Sequence, residues 1–332
     1  MTRSIRSAVL ALAAATALVV TATVSLAAPV QAATLPTIHG SWSAIPAFPS
    51  SVSAMTVTAG PDGRIYVFGF CQGSCAQVGG TVGFGAAVTE VYDPSARTWA
   101  PGRGAPAICA AAMASAVGSD GLIHLAGCWK DMVTAAGVRV AIYDPASASW
   151  SMQPGHGPLQ RQGGAVFAVG YRVLIDAQGL WFSGLPVPNT APSDAATLGH
   201  DGRIYAVGGS RNCQPEFGPC AVPPVQAYQP LTNAWRQVSS MPTPRIRVAA
   251  ATDSRGRIFV MGGLAGDAHA TYRAVQIYRP WSHSWAKAAP LPQARMAALA
   301  TATPDGRVWL LGGYDSNGSP LSDGYVFTPT RQ

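Results

Sequence analysis

The sequence has few charged residues and no helical pattern. Asp, Glu, Lys and Arg make up only 11% of its 332 residues, and Lys130 and Lys287 are the two lysines among 22 basic residues. No stretch repeats apolar residues at the 3.6-residue spacing of an amphipathic helix over a useful length. We therefore expect an all-β chain whose surface is covered mainly by small and uncharged residues.

The charge pattern gives little support to nucleic-acid binding. The formal net charge is +7, of which Arg3 and Arg6 in a targeting segment contribute two, which leaves +5 on a mature chain. No run of Lys or Arg follows that segment. Because nucleic-acid-binding surfaces usually carry a basic patch or stripe, we expect no nucleic-acid partner.

Familiar catalytic motifs are also missing. The six histidines are scattered without the spacing of metal ligands, and no two acidic residues outside the turns make an obvious pair for acid–base catalysis. A Ser-His-Asp elbow, a phosphate-binding loop and the Asp-box turn of sialidases are all absent from the sequence. We therefore expect no metal and no cofactor, and we name no catalytic residue.

The first 32 residues have the pattern of a secretory signal. Arg3 and Arg6 precede the apolar run Ala8–Ala28, and small residues around Ala32 offer a cleavage site. The alternative is an uncleaved transmembrane anchor, because the apolar run is long enough to cross a bilayer. We expect a secreted monomer without membrane contact after cleavage, with one domain over residues 33–329 and a tail over 330–332.

A repeat of about 50 residues organises the rest of the chain. One copy begins at the Asp201-Gly202 turn, continues as a strand to Val207, and ends in Gly208-Gly209. A Tyr follows, and a Trp comes seven residues after it. Each copy predicts a four-stranded sheet that must stack against its neighbours, as in a propeller blade. The Tyr and Trp pairs are 92/99, 143/150, 228/235 and 278/285.

The tryptophan spacing predicts six blades. Successive repeat tryptophans from Trp42 are separated by 57, 51, 85 and 50 residues. The interval of 85 residues is too long for one unit and too short for two, so we predict a shortened third blade within 163–190. The last unit ends without an outer strand, and we predict that residues 40–46, which include Trp42, supply it and close the ring.

The double glycine followed by Tyr and Trp resembles the Kelch repeat. The resemblance covers about 40–329, although Phe70 and Cys128 replace the second glycine in the first two units. It implies an all-β, six-bladed, galactose oxidase-like propeller. It implies no single activity, since Kelch propellers include binding platforms, sugar epimerases and copper oxidases. The Tyr, His and Cys set of the copper oxidases cannot be placed in this sequence.

Six cysteines in a chain with a secretory signal predict disulfides. Two pairs lie within equivalent inter-strand loops, and the third flanks a hairpin turn, with its sequence midpoint at 118.5. A metal or redox use of the first pair is the alternative, but no histidine lies near it in the sequence. The predicted pairs are Cys71–Cys75, Cys109–Cys128 and Cys213–Cys220.

Five arginines form the candidate binding site. They precede the inner strands of several blades, where propeller geometry places the connections at the mouth of the central channel. A guanidinium group fits carboxylate or phosphate, and Arg247 resembles the position from which binding Kelch propellers reach a carboxylate-bearing ligand. The alternative is that these side chains bond loop carbonyls or stack on tryptophans. The candidates are Arg103, Arg161, Arg245, Arg247 and Arg295.

A second set of arginines begins the second strand of several repeats, and we expect these to be structural or solvated. The second set consists of Arg64, Arg203, Arg257 and Arg307.

Three functions remain open. We favour a secreted recognition module that binds an anionic glycan or a protein carboxylate at the arginine-lined mouth. One alternative is a sugar mutarotase resembling the six-bladed Kelch epimerase of sialic acid. The other is a structural surface protein without a small ligand.

Overall fold

The computed structural model describes most of the chain beyond residue 34. The described residues are 35–49, 52–82, 86–106, 113–118, 120–128, 138–152, 165–169, 172–177, 180–186, 195–214, 218–221, 224–229, 232, 234–265 and 270–330. Within these ranges the chain forms strands and turns and no α-helix. Nothing helical in them has the length and apolar character that a bilayer crossing requires. The predicted signal segment, 1–32, lies outside the described residues.

Two short strands precede the first sheet, and sheets 1 and 2 then follow the repeat. Sheet 1 has the order β3-β4-β7-β8, with β5 and β6 as a separate hairpin between its second and third strands, and sheet 2 has the order β9-β10-β11-β12. The strands are β1 Thr37–Ile38, β2 Gly40–Ile45, β3 Val52–Ala59, β4 Ile65–Cys71, β5 Cys75–Gln77, β6 Gly80–Val82, β7 Ala87–Asp93, β8 Thr98–Pro101, β9 Met113–Val117, β10 Ile123–Cys128, β11 Val138–Asp144 and β12 Ser149–Met152.

Sheet 3 has three strands and lies where the shortened unit is predicted. Its strands are β13 Ala165–Val169, β14 Arg172–Ala177 and β15 Leu180–Pro186. Leu185 lies near the end of β15. A register shift between Val173 and Ile175 allows Leu185 to pair with Val173, so the third strand extends to Pro186.

Sheets 4 and 6 have four strands and sheet 5 has five. Sheet 5 has the order β1-β25-β24-β23-β22, and sheet 6 has the order β2-β28-β27-β26. Sheet 4 has the order β16-β17-β20-β21, and β18 with β19 forms a hairpin in the equivalent loop to β5 and β6. The strands are β16 Ala195–Leu198, β17 Ile204–Val207, β18 Ser210–Gln214, β19 Gly218–Ala221, β20 Pro224–Gln229, β21 Ala234–Ser240, β22 Ala249–Thr252, β23 Ile258–Met261, β24 Val275–Arg279, β25 Ser284–Ala288, β26 Leu299–Ala302, β27 Val308–Leu311 and β28 Gly324–Pro329.

The two ends of the described chain meet in sheet 6. Strand β2 pairs antiparallel with β28, and Trp42 lies opposite Phe327. The predicted contribution of residues 40–46 to the last sheet is therefore found. Strand β1 adds an unpredicted parallel strand to the edge of sheet 5, with Thr37 opposite Lys287. The amino-terminal segment thus joins two neighbouring sheets.

The core lies between neighbouring sheets, as expected for a propeller. One apolar cluster joins Val57 and Val67 of sheet 1 to Trp309 and Leu311 of sheet 6. Further clusters join sheets 1 and 2, 4 and 5, and 5 and 6. Sheets 1, 2, 4, 5 and 6 therefore bury apolar side chains against a neighbouring sheet, which explains why one repeat is not stable alone.

The Tyr and Trp of each repeat lie directly opposite each other on the third and fourth strands. Their ring centroids are 5.1 Å apart in sheet 1 and 5.3 Å apart in sheet 5. Several indole nitrogens also donate to the linker from another sheet, as Trp99 Nε1 does to the carbonyl of Pro46 at 2.8 Å. The repeat tryptophan thus packs within its own sheet and, in several repeats, also hydrogen-bonds to a segment from another sheet.

Candidate functional site

The propeller has two faces, which we name by their connections. The loop face carries the segment that enters each inner strand and the loop that leaves each second strand. The turn face carries the hairpin turns and the Tyr-to-Trp turns. In sheets 5 and 6, isolated bridges pair Ile246 with Leu264 and Met296 with Tyr314. Both kinds of loop-face connection therefore meet on one side, as predicted.

Arg295 lies on the loop face but is fully buried. Its Nη1 donates to the carbonyl of Gly312 at 2.9 Å, and its Nη2 donates to Asp323 Oδ2 at 2.9 Å. The guanidinium lies 4.8 Å from the ring centroid of Tyr325. Burial acts to raise the pKa of Asp323, but hydrogen bonds from Arg295 and Tyr325 hold it below its ordinary value. Arg295 therefore fastens one loop to another and is closed to a ligand.

Arg245 occupies the equivalent place in sheet 5 and is also fully buried. It donates to the carbonyls of Gly262 and Ala274, and its Nη2 donates to Gln276 Oε1 at 3.0 Å. Burial lowers the pKa of Arg245 to about 10, which still leaves it charged at neutral pH. The expectation that Arg245 and Arg295 line an open mouth is therefore corrected. Their geometry is the carbonyl-bonding alternative that the sequence left open.

Arg247 is an exposed arginine of the predicted set on the loop face. It has a φ of 53°, and Ala297 at the equivalent place in the next sheet has a φ of 51°. The amide of Ala297 donates to the carbonyl of Arg247 at 2.7 Å, which holds the two segments together. One guanidinium nitrogen, Nη1, lies 3.9 Å from Met296 Sδ. The backbone therefore fixes where this arginine is presented.

Arg103 does not lie beside Arg247 at an inner strand. Arg103 is exposed, but it follows β8 by two residues and precedes β9 by ten, so it begins its linker beside an outer strand. Its carbonyl accepts a hydrogen bond from Trp150 Nε1 at 3.1 Å. The expectation that it adjoins an inner strand is corrected, because this linker is longer than those of sheets 5 and 6. Arg161 lies outside the described residues.

The central channel is lined by small residues of the inner strands. The cavity there has a volume of about 280 Å³ and is lined by Ala, Val, Ser, Thr and Leu residues. Hydroxyl groups join neighbouring strands across it. Thr56 Oγ1 and Ser115 Oγ are 2.9 Å apart, and Thr197 Oγ1 and Thr252 Oγ1 are 2.8 Å apart. These side chains stabilise the ring, and the lining residues that the structure describes offer no charged group to a ligand.

One of the three predicted disulfides is present in the described residues. Cys71 and Cys75 are bonded, with their Cα atoms 5.8 Å apart. Cys213 and Cys220 lie on the paired strands β18 and β19, where Cys220 is opposite Arg211. Their bond remains a prediction.

The third predicted pair cannot be placed by the midpoint argument. The register of β9 and β10 sets Met113 opposite Gly127. This hairpin is centred on Asp120 rather than on 118.5, so Cys128 would face a residue beyond the start of β9. Cys109, the predicted partner of Cys128, lies outside the described residues. That bond also stays a prediction.

Glu90 is a buried acid to which sequence reasoning assigned no role. It lies on β7 two residues before Tyr92, and it is 3% exposed. Burial raises the pKa of its carboxyl group to about 7. Gln226 and Gln276 stand at the same distance before the tyrosines of sheets 4 and 5. Glu90 could therefore have been noticed in the sequence as an acid at a position where two other repeats have Gln.

The turn face holds a cavity that the sequence did not predict. It has a volume of about 460 Å³ and lies between the turns of sheets 4 and 5. Its lining includes His200, Arg203, Arg255, Trp281 and His283. His200 also lines a second cavity of about 560 Å³ at the turn-face end of the channel. From the sequence, the arginines that begin the second strands on this face are expected to be structural or solvated.

Comparison with known proteins supports the repeat and the fold. A Kelch motif matches residues 191–242. Human Kelch repeat and BTB domain-containing protein 13 is 35% identical over 82 residues, which are 25% of this chain and 16% of that protein. Kelch repeat and BTB domain-containing protein 1 of cowpox virus (strain Brighton Red) is 33% identical over 79 residues, which are 24% of this chain and 14% of that protein. The matches thus span less than a fifth of each relative.

A solved structure shares the fold over most of the chain. It is described as a novel fungal alcohol oxidase with catalytic diversity among the AA5 family, in complex with copper, and it superposes with a TM-score of 0.50. The identity is 18%, and the match covers 83% of this chain and 62% of the oxidase chain. At this identity the likeness shows the fold alone. Together with the motif, it supports a β-propeller fold that contains Kelch repeats.

The copper in that oxidase raises the question of whether this chain has a matching site. Among the residues that the structure describes, no three His, Cys, Asp or Glu side chains are grouped so that they could hold a metal ion. Cys71 and Cys75 are joined to each other. The His, Cys, Asp and Glu residues that the structure describes therefore do not fit a copper centre.

Proposed function

We propose that this chain is a secreted, six-bladed binding module that takes a carboxylate-bearing partner on its loop face, at Arg247. The observation that carries the proposal is the exposure of Arg247 in a fixed backbone position while Arg245, two residues earlier, is buried. A guanidinium held at a surface can form paired, charge-assisted hydrogen bonds with a carboxylate. Both a protein side chain and an acidic glycan supply that group.

Neighbouring residues suit such a partner. Tyr314, which bridges to Met296 beside Arg247, is 43% exposed and offers an aromatic ring with a hydroxyl group. Tyrosine and arginine are enriched where interfaces carry most of their binding energy. The loop face therefore combines a cation with an aromatic ring.

The count of six blades rests on the order of the inner strands. Strand β13 of the three-stranded sheet lies beside β9 on one side and β16 on the other. The remaining inner strands follow in the order β16, β22, β26, β3 and β9. This order supports a closed ring in which sheet 3 is the third, shortened blade.

Two features of the chain support secretion. The amino-terminal segment carries Arg3 and Arg6 before a long apolar run. The bond between Cys71 and Cys75 is typical of proteins from oxidising compartments, where disulfides persist. We therefore place the working protein outside the cytoplasm.

A binding role agrees with the channel better than catalysis does. The described lining of the channel consists of small residues and hydroxyl groups, whereas acid–base catalysis needs a positioned titratable pair. A mutarotase site at that place would have to be built from other groups.

The test is an array of acidic glycans and carboxylate-rich peptides probed with the mature chain. We expect Arg247→Ala to weaken the best ligand about tenfold or more, because a charge-assisted bond contributes roughly 1.5–3 kcal/mol. Arg64→Ala is the matched control, since Arg64 is a half-exposed arginine on the turn face. Equal affinity of the Arg247→Ala variant and the wild type would refute the proposal. The class of ligand retained on the array distinguishes a protein from a glycan partner.

A further inference from the structure

Two turns of the fifth repeat line the same cavity and carry residues that differ from those of the first repeat. The hairpin turns of four repeats carry an Asp whose Oδ1 accepts the amide two residues later, as Asp201 accepts that of Arg203 at 3.1 Å. In the fifth repeat this position is Arg255. The capping bond is instead made from Asp253, whose Oδ1 accepts the amides of Arg255 at 3.0 Å and Arg257 at 2.9 Å. The four aspartates are Asp62, Asp120, Asp201 and Asp305.

The Tyr-to-Trp turn of the fifth repeat differs in the same direction. In sheet 1, Asp93 Oδ1 accepts the amide of Ser95 at 2.8 Å. In the fifth repeat the corresponding residues are Arg279 and Trp281. Trp281 is 61% exposed. The repeat fold has no need of an exposed indole here, because a small residue serves in the first turn.

These departures change the charge of the cavity. Arg203 is paired with Asp201, with 3.2 Å between Arg203 Nη1 and Asp201 Oδ2. Asp253, the acid nearest to Arg255 in the chain, is already engaged by the guanidinium of Arg257. Arg255 therefore supplies the excess positive charge of this lining. An aspartate at the same position would have made the cavity negative.

The remaining walls are fixed by the fold. Gly256 has a φ of 75°, and a Cβ there would lie 3.3 Å from His200 Cβ, so the glycine lets the histidine pack closely over the turn. His283 Nδ1 lies 3.0 Å from the hydroxyl group of Tyr278. The hydroxyl contact leaves Nε2 as the ring nitrogen that a ligand could engage. Two histidines are thus held at the edges of the cavity.

We propose that this turn-face cavity is a binding site for an acidic sugar, with Trp281 as the stacking platform and Arg255 as the carboxylate contact. A flat indole fits the apolar face of a pyranose ring, and a guanidinium fork fits the carboxylate of a hexuronic acid. His200 and His283 supply hydrogen bonds to ring hydroxyl groups. The volume of about 460 Å³ accommodates a short oligosaccharide at an open surface. This site is independent of the loop-face function.

The test is calorimetric titration of the mature chain with a linear hexuronic-acid trisaccharide and with the matched neutral hexose trisaccharide. The two informative variants restore residues that other repeats use, so the fold tolerates both. Trp281→Ser is expected to weaken both sugars at least tenfold. Arg255→Asp is expected to weaken the acidic sugar at least tenfold and to leave the neutral sugar unchanged. Arg247→Ala, on the opposite face, is expected to change neither.

Three results would overturn the proposal. They are a wild type that binds neither trisaccharide at millimolar concentration, a wild type that binds the two with equal affinity, and variants at 255 and 281 that bind as the wild type does. Circular dichroism of both variants separates a lost site from a lost fold. Because Arg247→Ala is the control here, failure of this site leaves the loop-face proposal untouched, and the reverse holds.

Discussion

At the residue scale, Glu90 makes the stability of the chain depend on pH. Its carboxyl pKa is raised by burial to about 7 in the folded chain, compared with an ordinary value of 4.5. Between these two values the folded chain binds more protons than the unfolded chain does. The free energy of unfolding therefore falls as the pH rises through this window and stays low above it.

Replacing Glu90 by Gln should remove this dependence. We expect Glu90→Gln to resemble the wild type at pH 5 and to be more stable at pH 8, by up to about 3 kcal/mol, since one pKa unit corresponds to about 1.4 kcal/mol. Gln226 and Gln276 indicate that an amide fits this position. Urea unfolding at the two pH values measures the difference.

Asp93 provides the matched control on the same strand. Hydrogen bonds from Ser95 and Ala96 lower the pKa of its carboxyl group to about 2, so it is ionised in both states between pH 5 and pH 8. Asp93→Asn should therefore shift stability by the same amount at both pH values. If Glu90→Gln also gave a constant shift, burial of the charged carboxylate would not be the cause.

At the scale of the structural element, the loop-face connections depend on buried arginines. We expect Arg295→Met to destabilise the chain by about 3 kcal/mol, because Asp323 and the carbonyl of Gly312 lose their donor. Arg103→Met removes an exposed arginine and should stay within about 0.5 kcal/mol of the wild type. Denaturant unfolding of both variants is the measurement. Equal stabilities would contradict a stabilising role for the hydrogen bonds of Arg295.

Sequence reasoning reached the elements better than the contacts between them. The spacing of tyrosine and tryptophan predicted the sheets and the placement of Trp42 beside the last strand, because packing of one large pair recurs in each unit. Burial of Arg245 and Arg295 could not be predicted, since it depends on carbonyls that loop geometry brings together. The same limit applies to Trp281, whose exposure follows from a turn rather than from its residue type.

The disulfides show which cysteine pairs can be predicted from sequence spacing and which depend on strand register. Two cysteines within one short loop, Cys71 and Cys75, must lie close whatever the strand pairing is. A pair across a hairpin depends on where the hairpin is centred, and a shift of one or two residues moves a side chain out of reach. The register about Asp120 therefore invalidates the midpoint argument for Cys128.

At the scale of the whole molecule, the ring is closed by a strand that is distant in sequence from its sheet. Trp42 Nε1 donates to the carbonyl of Ala289 at 2.8 Å, and its ring lies 5.2 Å from that of Phe327. Through β1 and β2 the same segment completes sheets 5 and 6. Without it, β28 would present an unpaired edge, which is a hazard for aggregation.

Closure of this kind predicts a difference between equivalent tryptophans. Trp42→Ala should speed amide hydrogen exchange along β28 and also along β25, where β1 is paired, because loosening of β2 releases the whole amino-terminal segment. Trp235→Ala removes the corresponding ring of sheet 4, whose outer strand is continuous with its neighbours in the chain. Its effect should stay within β20 and β21. Exchange followed by mass spectrometry compares the two variants. If Trp42→Ala changed exchange in sheet 6 alone, β1 and β2 would act as separate strands, and the amino-terminal segment would close the ring through β2 only.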